Sequence, residues 1–131
     1  KKYAKKTTRQ EYGIDNFPSI HTGKMKSLFD AFRQAVLELD SNITEEFLKL
    51  YVAYKADTNI VDVIPLANKL KLTLNMRFIN ISDPHGICTD VSNVGRWGNG
   101  EVEVMLNSVD EIPYIIGLVR QSLDSQLGDE G

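Results

Sequence analysis

IVDVIPLANKLKLTLN, residues 60–75, carries the clearest strand pattern of the chain and sets its architecture. Residues 60–66 form a mainly apolar run, rich in β-branched residues and interrupted by Asp62, and from Leu70 onward leucines alternate with polar residues. Only residues 67–69 separate the two runs. A connection this short joins antiparallel strands, because parallel neighbours need a crossover of a dozen residues or more. The stretch therefore predicts a β-hairpin, with Pro65 near a strand end, where its missing N–H is tolerated.

Two further runs alternate in the same way and extend the predicted sheet. Residues 46–55 are predicted to form one strand, whose apolar side consists of Leu48, Leu50, Val52 and Tyr54. Residues 101–106 repeat the pattern with Val102, Val104 and Leu106. In the hairpin, the strand that begins at Leu70 is predicted to continue through Arg77. These runs predict four antiparallel strands.

Helical periodicity appears at both ends of the chain. Residues 24–39 carry apolar side chains at helical spacing, namely Met25, Leu28, Phe29, Phe32, Ala35, Val36 and Leu39. Ser108 and Glu111 have the spacing of a capping box, which predicts the start of a second helix that runs to about Leu127. Pro113 falls in its first turns, where proline is tolerated. Its buried stripe is predicted to contain Ile112, Ile115, Ile116, Val119 and Leu123.

The element order α-β-β-β-loop-β-α predicts an α+β fold. Four antiparallel strands with one apolar face need a cover, and two amphipathic helices supply it. We therefore expect a two-layer sandwich with a four-stranded antiparallel sheet and both helices on one face. The predicted domain spans residues 20–127, after a basic N-terminal arm or linker at residues 1–19 and before a disordered tail at residues 128–131.

Charge and composition indicate which partners, compartment and kinds of site the chain can have. Five Lys and Arg residues and no acidic residue fall in residues 1–9, so the remainder is more acidic than the net charge of −3 indicates. Such an arm predicts a solvated linker or, alternatively, a contact with nucleic acid or an acidic partner. The missing initial Met favours a domain from a longer protein. The single cysteine, Cys88, excludes an internal disulfide and favours a cytoplasmic location. No apolar run reaches the roughly 18 residues of a membrane span, and no cofactor or metal is expected.

The segment DPHGICTDVSNVGRWGNG, residues 83–100, is the predicted location of a functional site. A long connection of this kind inside a compact domain is usually functional or disordered, and its apolar residues favour order. It contains the only tryptophan, Trp97, between Gly95 and Gly98. Trp97 is interpreted as a plug at the end of the core, and the alternative is a platform on which a base or sugar stacks.

The polar side of the predicted sheet is the first candidate site. Strand alternation brings basic and aromatic residues together there, and loop residues adjoin them: Lys49, Tyr51, Lys55, Lys71, Arg77, Arg96 and Trp97. Such a surface predicts contacts between cations and phosphate groups, with stacking on the aromatic rings. The alternative is a solvated face on which lysines and glutamates pair across strands.

Four acidic and imidazole groups form the second candidate site. Asp83, His85, Asp90 and Glu101 have the chemistry of acid–base or metal-binding groups, and together they support the hypothesis of a small hydrolase that acts on a nucleotide or nucleic acid. Their spacing matches no metal-binding signature. Asp83 before Pro84 is also typical of a turn, and this alternative stays open. The chain contains no phosphate-binding loop, no paired Cys-x-x-Cys and no nucleophile elbow.

Several segments together resemble one uncharacterised bacterial and archaeal family. They are LKLYVAYK (48–55), IVDVIPLANKLKLTLN (60–75), DPHGICTDVSNVGRWGNGEVEVML (83–106) and YIIGLVRQSL (114–123). The family is often labelled "predicted transport protein" and commonly forms the C-terminal domain of restriction-associated (GmrSD-like) or nuclease-fused proteins. At position 96, where this chain has Arg, the family favours His.

The resemblance implies a module that accompanies DNA-processing enzymes and has no established reaction of its own, and the favoured hypothesis is a non-catalytic accessory module. The module is expected to belong to a larger DNA-processing or defence-associated protein and to contact nucleic acid or another domain of a restriction-type system. Because no apolar run is long enough to span a membrane, transport by this domain alone is not expected. The hydrolase that would use Asp83, His85, Asp90 and Glu101 remains the alternative.

Overall fold

A six-stranded sheet forms one layer of the domain in the part of the chain that the computed structural model describes, residues 13–21, 23–93 and 100–128. The strands are β1 (Thr44–Phe47), β2 (Val52–Lys55), β3 (Asn59–Pro65), β4 (Leu70–Leu74), β5 (Thr89–Asp90) and β6 (Val102–Leu106). Their order in the sheet is β1-β2-β3-β4-β6-β5, and every neighbouring pair is antiparallel. The helices are α1 (Gly23–Leu37) and α2 (Ile112–Gly128).

One face of the sheet is apolar and carries both helices. Cross-strand pairing aligns Val63 with Leu72 and Leu72 with Val104, so the apolar side chains of β3, β4 and β6 form continuous rows. Residues of α1 and α2 belong to the same buried cluster as these rows. The ring of Phe32 in α1 meets Tyr54 of β2 edge-on, with 6.4 Å between ring centroids. The predicted α+β sandwich is therefore confirmed.

The predicted single strand at residues 46–55 is wrong, because the chain reverses within it. The backbone N–H of Leu48 donates to the carbonyl of Tyr51 at 2.8 Å, and β1 pairs with β2 across this turn. Alternation of apolar and polar residues continues through the turn, and the two residues at its tip, Lys49 and Leu50, are not typical turn formers. Periodicity alone therefore merges the two strands into one.

The second additional strand lies inside the long loop. Thr89 and Asp90 form β5 and pair with Glu103 and Val102 of β6. The ladder continues for one more bond, in which the N–H of Val91 donates to the carbonyl of Glu101 at 2.9 Å. A two-residue strand has no measurable periodicity, and the expected count of four strands therefore falls short of the six that the described residues form.

Strand β4 ends earlier than expected, at Leu74. A Cβ atom on Gly100 would lie 1.9 Å from the carbonyl oxygen of Leu74, so only glycine permits this close approach. The N–H of Met76 then turns back to the carbonyl of Leu74. Arg77 consequently precedes a 3₁₀ turn, Phe78–Asn80, instead of continuing the strand.

The ends of the helices and of the core also differ in detail from the prediction. The predicted capping box of Ser108 and Glu111 is present, but it opens a 3₁₀ turn, Val109–Glu111, from which α2 continues. Phe17 lies in the core although it precedes residue 20, where the domain was predicted to start. Residues 1–9 of the basic arm lie outside the described residues. No helix within the described ranges is long and apolar enough to cross a membrane.

Candidate interaction surface

The sheet face opposite the helices has a buried polar centre. Cross-strand pairing sets Ala53 beside Asp62, Asp62 beside Thr73 and Thr73 beside Glu103. Asp62 is 1% exposed and Thr73 is 6% exposed. A carboxylate at such a position needs hydrogen-bond donors, because transfer of a charge away from water is costly. This face is therefore organised around Asp62.

A β-bulge in β3 supplies one donor to Asp62. Tyr54 pairs with Val61 and Lys55 pairs with Asn59, so Ile60 is an extra residue in β3. In a regular strand, residues three apart point to opposite faces, but one extra residue brings Asn59 and Asp62 to the same face. The Asn59 Nδ2 donates to Asp62 Oδ1 at 2.6 Å. The bulge thus positions the partner of the buried carboxylate.

Side chains of α2 and the end of β4 hold the bulge in place. The hydroxyl of Ser122 donates to the carbonyl of Ile60 at 2.8 Å. Gln126 Nε2 donates to the carbonyl of Asn59 at 3.0 Å, and Asn75 Nδ2 donates to the same oxygen at 2.8 Å. The backbone groups that the bulge frees therefore have partners. Sequence reasoning missed Ser122; its only signal is a polar residue beside the apolar stripe of α2.

A row of partly exposed side chains, which we call the platform, lies beside this polar centre on the same face. It consists of Tyr51, Ile64, Lys71 and Met105. Cross-strand pairing aligns Ile64 with Lys71 and Lys71 with Met105, and Tyr51 directly precedes β2. Burial, and then the negative charges of Asp62 and Glu46, raise the pKa of Tyr51. Tyr51 therefore stands next to the buried carboxylate and stays protonated at neutral pH.

The lysines of this face have carboxylate neighbours. Lys71 Nζ lies 3.8 Å from Glu103 Oε2, and Lys55 Nζ lies 3.7 Å from Glu46 Oε1. Lys49 lies in the β1–β2 turn, beyond the strands, and Arg77 follows β4 in the same way. Of the predicted contact residues, Tyr51, Lys55 and Lys71 thus share one face. Arg96 and Trp97 lie outside the described residues.

The start of the long loop is fastened to α2 through Tyr114. The Tyr114 hydroxyl donates to Asp83 Oδ1 at 2.5 Å and accepts from the N–H of His85 at 3.0 Å. The His85 ring stacks on the Tyr114 ring, with centroids 3.8 Å apart. Ser82 and Gln121 exchange a further pair of hydrogen bonds, each of 2.8 Å. Asp83 and His85 are therefore brought together by a helix residue that sequence reasoning did not single out.

Protonation of this cluster follows from its hydrogen bonds. Burial by itself would raise the pKa of Asp83, but the hydrogen bonds from Tyr114 and from the backbone of Cys88 hold that pKa below its usual range. Desolvation, followed by the hydrogen bond to Asp83, raises the pKa of Tyr114. Burial, followed by the interaction with Asp83, raises the pKa of Cys88 to about 12. The Cys88 thiol is thus protonated at neutral pH and is a poor nucleophile.

The two other acid–base candidates have separate partners. Asp90 accepts from the N–H of Ser92 at 2.9 Å and from its hydroxyl at 2.7 Å, and these bonds lower the pKa of Asp90. Glu101 accepts from the N–H of Phe78 at 3.3 Å. In the part of the chain that the structure describes, no three His, Cys, Asp or Glu side chains are arranged to hold a metal ion.

Comparison with known proteins identifies the family. A model described as a domain of unknown function, DUF5655, matches residues 18–126. An uncharacterized protein from Haemophilus influenzae (strain ATCC 51907 / DSM 11121 / KW20 / Rd) is 35% identical over 102 residues, which are 78% of this chain and 34% of that protein. This chain thus spans about a third of the length of that relative. No solved structure matches. The match over residues 18–126 shows that the chain belongs to the DUF5655 family.

Proposed function

We propose that this domain is a non-catalytic interaction module of a longer protein and that its platform docks on a partner domain. The observation that carries the proposal is the row of Tyr51, Ile64, Lys71 and Met105, which is partly exposed and lies beside a buried, hydrogen-bonded carboxylate. Tyrosine and methionine are enriched at protein interfaces, and the rim of an interface is polar. Tyr51 and Met105 are of the enriched types, and Lys71 is assigned to the polar rim.

The rigidity of the support favours docking. The bulge behind Asp62 is held by Ser122, Gln126 and Asn75, so the strands beneath the platform are ordered before a partner arrives. A preorganised surface loses less conformational entropy on binding than a flexible one. The affinity of such a face depends on a few aromatic and apolar anchors, for which Tyr51 and Ile64 are the candidates.

The charge balance favours a protein partner over nucleic acid. The chain contains eighteen Asp and Glu and fifteen Lys and Arg, a net charge of −3, and five of the cations lie in residues 1–9. Lys55 and Lys71 each have a carboxylate neighbour. Binding to DNA depends on cations that neutralise phosphates, and this face offers few that are unpaired. The proposed setting is a longer DNA-processing or defence-associated protein, as the family resemblance implies.

The hydrolase hypothesis receives less support from the geometry. Both carboxylate oxygens of Asp83 accept hydrogen bonds that hold the loop to Tyr114 and Cys88. Asp90 and Glu101 accept from other groups. A hydrolase of this design would need these carboxylates to converge on one substrate atom. Hydrolysis of bis(p-nitrophenyl) phosphate that disappears in Asp83→Asn would overturn the proposal.

A binding measurement with two probes tests the proposed function. The first probe is the part of the Haemophilus influenzae relative that lies outside the match, and the second is a DNA duplex. Ile64→Glu should weaken binding of the first probe by at least tenfold, because it places a charge in the centre of the platform. Ile79→Glu is the control, since Ile79 is 79% exposed in the Phe78–Asn80 turn. Absence of binding to the first probe, or tight binding of DNA that Lys71→Gln abolishes, would contradict the proposal.

A further inference from the structure

Three of the four described cations that lack a carboxylate partner lie at one end of the sheet, and the fourth, Arg77, follows β4 at the other end. Five of the nine described Lys and Arg residues form salt bridges: Lys26, Arg33, Lys55, Lys71 and Arg120. Within the described ranges no salt bridge involves Lys24, Lys49, Lys69 or Arg77. Lys49 lies in the β1–β2 turn and Lys69 in the β3–β4 turn, which are at the same end of the antiparallel sheet. Lys24, at the start of α1, faces this end.

A cavity of about 290 Å³ lies at this end, between α1 and the β3–β4 turn. Its apolar side is formed by Met25 and Leu28, and Leu28 is 3% exposed. Its polar side is formed by Ser19, Lys24, Asn68 and Asn107. The cavity therefore combines one ammonium group, one hydroxyl and two side-chain amides with an apolar floor.

This lining fits an anion that carries a small organic group. Lys24 has three N–H donors, and each of the amides of Asn68 and Asn107 has two. The carboxylate of Glu111 is engaged close to Asn107, since its Oε1 accepts from the backbone N–H of Asn107 at 2.7 Å, within the capping box. The cavity volume of about 290 Å³ lies just below the range of roughly 300–1,000 Å³ for small-molecule sites, in which apolar walls and a few polar groups are typical.

We propose that this cavity binds a small phosphate monoester. Lys24 contacts the phosphate, the amides of Asn68 and Asn107 bind its remaining oxygens, and the organic group lies against Met25 and Leu28. A phosphate group has about two negative charges and three strong acceptor oxygens, which matches the number of donors here better than a single carboxylate does. Lys49 and Lys69 add attraction at longer range, in a domain that is otherwise acidic. The proposal does not depend on the platform or on its partner.

Titration with phenyl phosphate and with inorganic phosphate, followed by ¹⁵N NMR of the whole chain, tests this site. Phenyl phosphate should bind more tightly than inorganic phosphate, since only the ester reaches the apolar floor. The side-chain amide signals of Asn68 and Asn107 should shift and saturate. Lys24→Gln should weaken binding of phenyl phosphate at least tenfold, and Asn68→Ala should weaken it severalfold.

Lys26→Gln is the matched control, because Lys26 lies two residues away on the same helix and forms a salt bridge of 2.6 Å with Asp30. It removes the same charge and should leave the affinity within about twofold of the unaltered chain. Equal losses in Lys24→Gln and Lys26→Gln would show attraction by net charge alone and overturn the proposal. So would shifts that do not saturate, or equal affinities for phenyl phosphate and inorganic phosphate.

Discussion

The helix-covered face of the sheet and the opposite face are stabilised in different ways. On the first face, rows such as Val63, Leu72 and Val104 pack against α1 and α2. On the second face, Asp62 and Thr73 are almost as inaccessible as these apolar residues, and Asp62 is hydrogen-bonded to Asn59. The first face depends on apolar area and shape, whereas the second depends on satisfied polar groups. Polar residues on one side of a strand can therefore be buried, and the platform beside them is the candidate contact surface.

The largest expected effect lies on the helix-covered face. Leu72→Ala removes a fully buried side chain and should lower the free energy of unfolding by about 2–5 kcal/mol. Thr73→Ala is the matched control, since Thr73 is the next residue of β4 and points to the other face. Urea denaturation measures both variants. A loss for Thr73→Ala as large as that for Leu72→Ala would mean that the second face also depends mainly on packing.

The next effect concerns the buried carboxylate. Asp62→Ala leaves the Asn59 amide without its acceptor and should cost about 1–3 kcal/mol in the free energy of unfolding. Asp57→Ala is the control: it removes an exposed carboxylate in the β2–β3 turn and should change the free energy of unfolding by less than about 0.5 kcal/mol. Denaturation midpoints of the two variants decide the comparison. Equal midpoints would show that Asp62 does not organise the second face.

A smaller effect is expected where α2 meets the bulge. Ser122→Ala removes the hydroxyl that donates to the Ile60 carbonyl, and Ser122 is 0% exposed, so we expect a loss of about 1 kcal/mol. Ser125→Ala is the control, because its hydroxyl donates to a carbonyl of its own helix. The backbone N–H of Asn75 donates to the same Ile60 carbonyl, and its hydrogen exchange should become faster in Ser122→Ala but not in Ser125→Ala. Unchanged exchange there would mean that the bulge does not need this bond.

The Cys88 thiol should show a pH dependence set by its environment. Its pKa is raised from 9.0 to about 12 in the folded chain, so the folded state retains a proton that the unfolded state releases. The thiol therefore contributes stability below about pH 9, and this contribution is lost as the pH rises toward 12. At pH 8 the reaction with iodoacetamide should be at least tenfold slower in the folded chain than in urea. Equal rates would contradict this description of the loop.

The smallest effect is expected at the loop anchor. Tyr114→Phe removes the donor to Asp83 but keeps the stacked ring, so the urea midpoint of unfolding at pH 7 should fall only slightly. The lowered pKa of Asp83 contributes stability above its unfolded pKa, and this contribution is lost as the pH falls below about 4. The difference between Tyr114→Phe and the unaltered chain should therefore shrink in acid. A difference that grows below pH 4 would contradict the assignment.

Most of the first face could be predicted from the sequence, and most of the second could not. The two helices and the hairpin at residues 60–75 could be predicted because side chains that face the core are apolar, and their spacing along the sequence is that of a helix or a strand. The β1–β2 turn was not predicted because its tip, Lys49 and Leu50, continues the alternation of polar and apolar residues. Strand β5 was not predicted because two residues are too few to show such an alternation. The Asn59–Asp62 pair depends on a bulge at Ile60, which brings Asn59 to the same face as Asp62. No residue type in this stretch indicates a bulge. Tyr51 and Lys71 were predicted contact residues, whereas their neighbours Ile64 and Met105 were assigned only to strands.

Chemical-shift mapping shows directly whether the platform contacts a partner domain. The ¹⁵N-labelled chain is titrated with the part of the Haemophilus influenzae relative that lies outside the match. The largest shifts should occur at the backbone amides of Tyr51, Ile64, Lys71 and Met105. No shifts should occur at Ile79 or Val109, which are exposed apolar residues elsewhere on the surface. Shifts confined to residues 83–88, or to the cavity beside Lys24, would contradict docking through the platform.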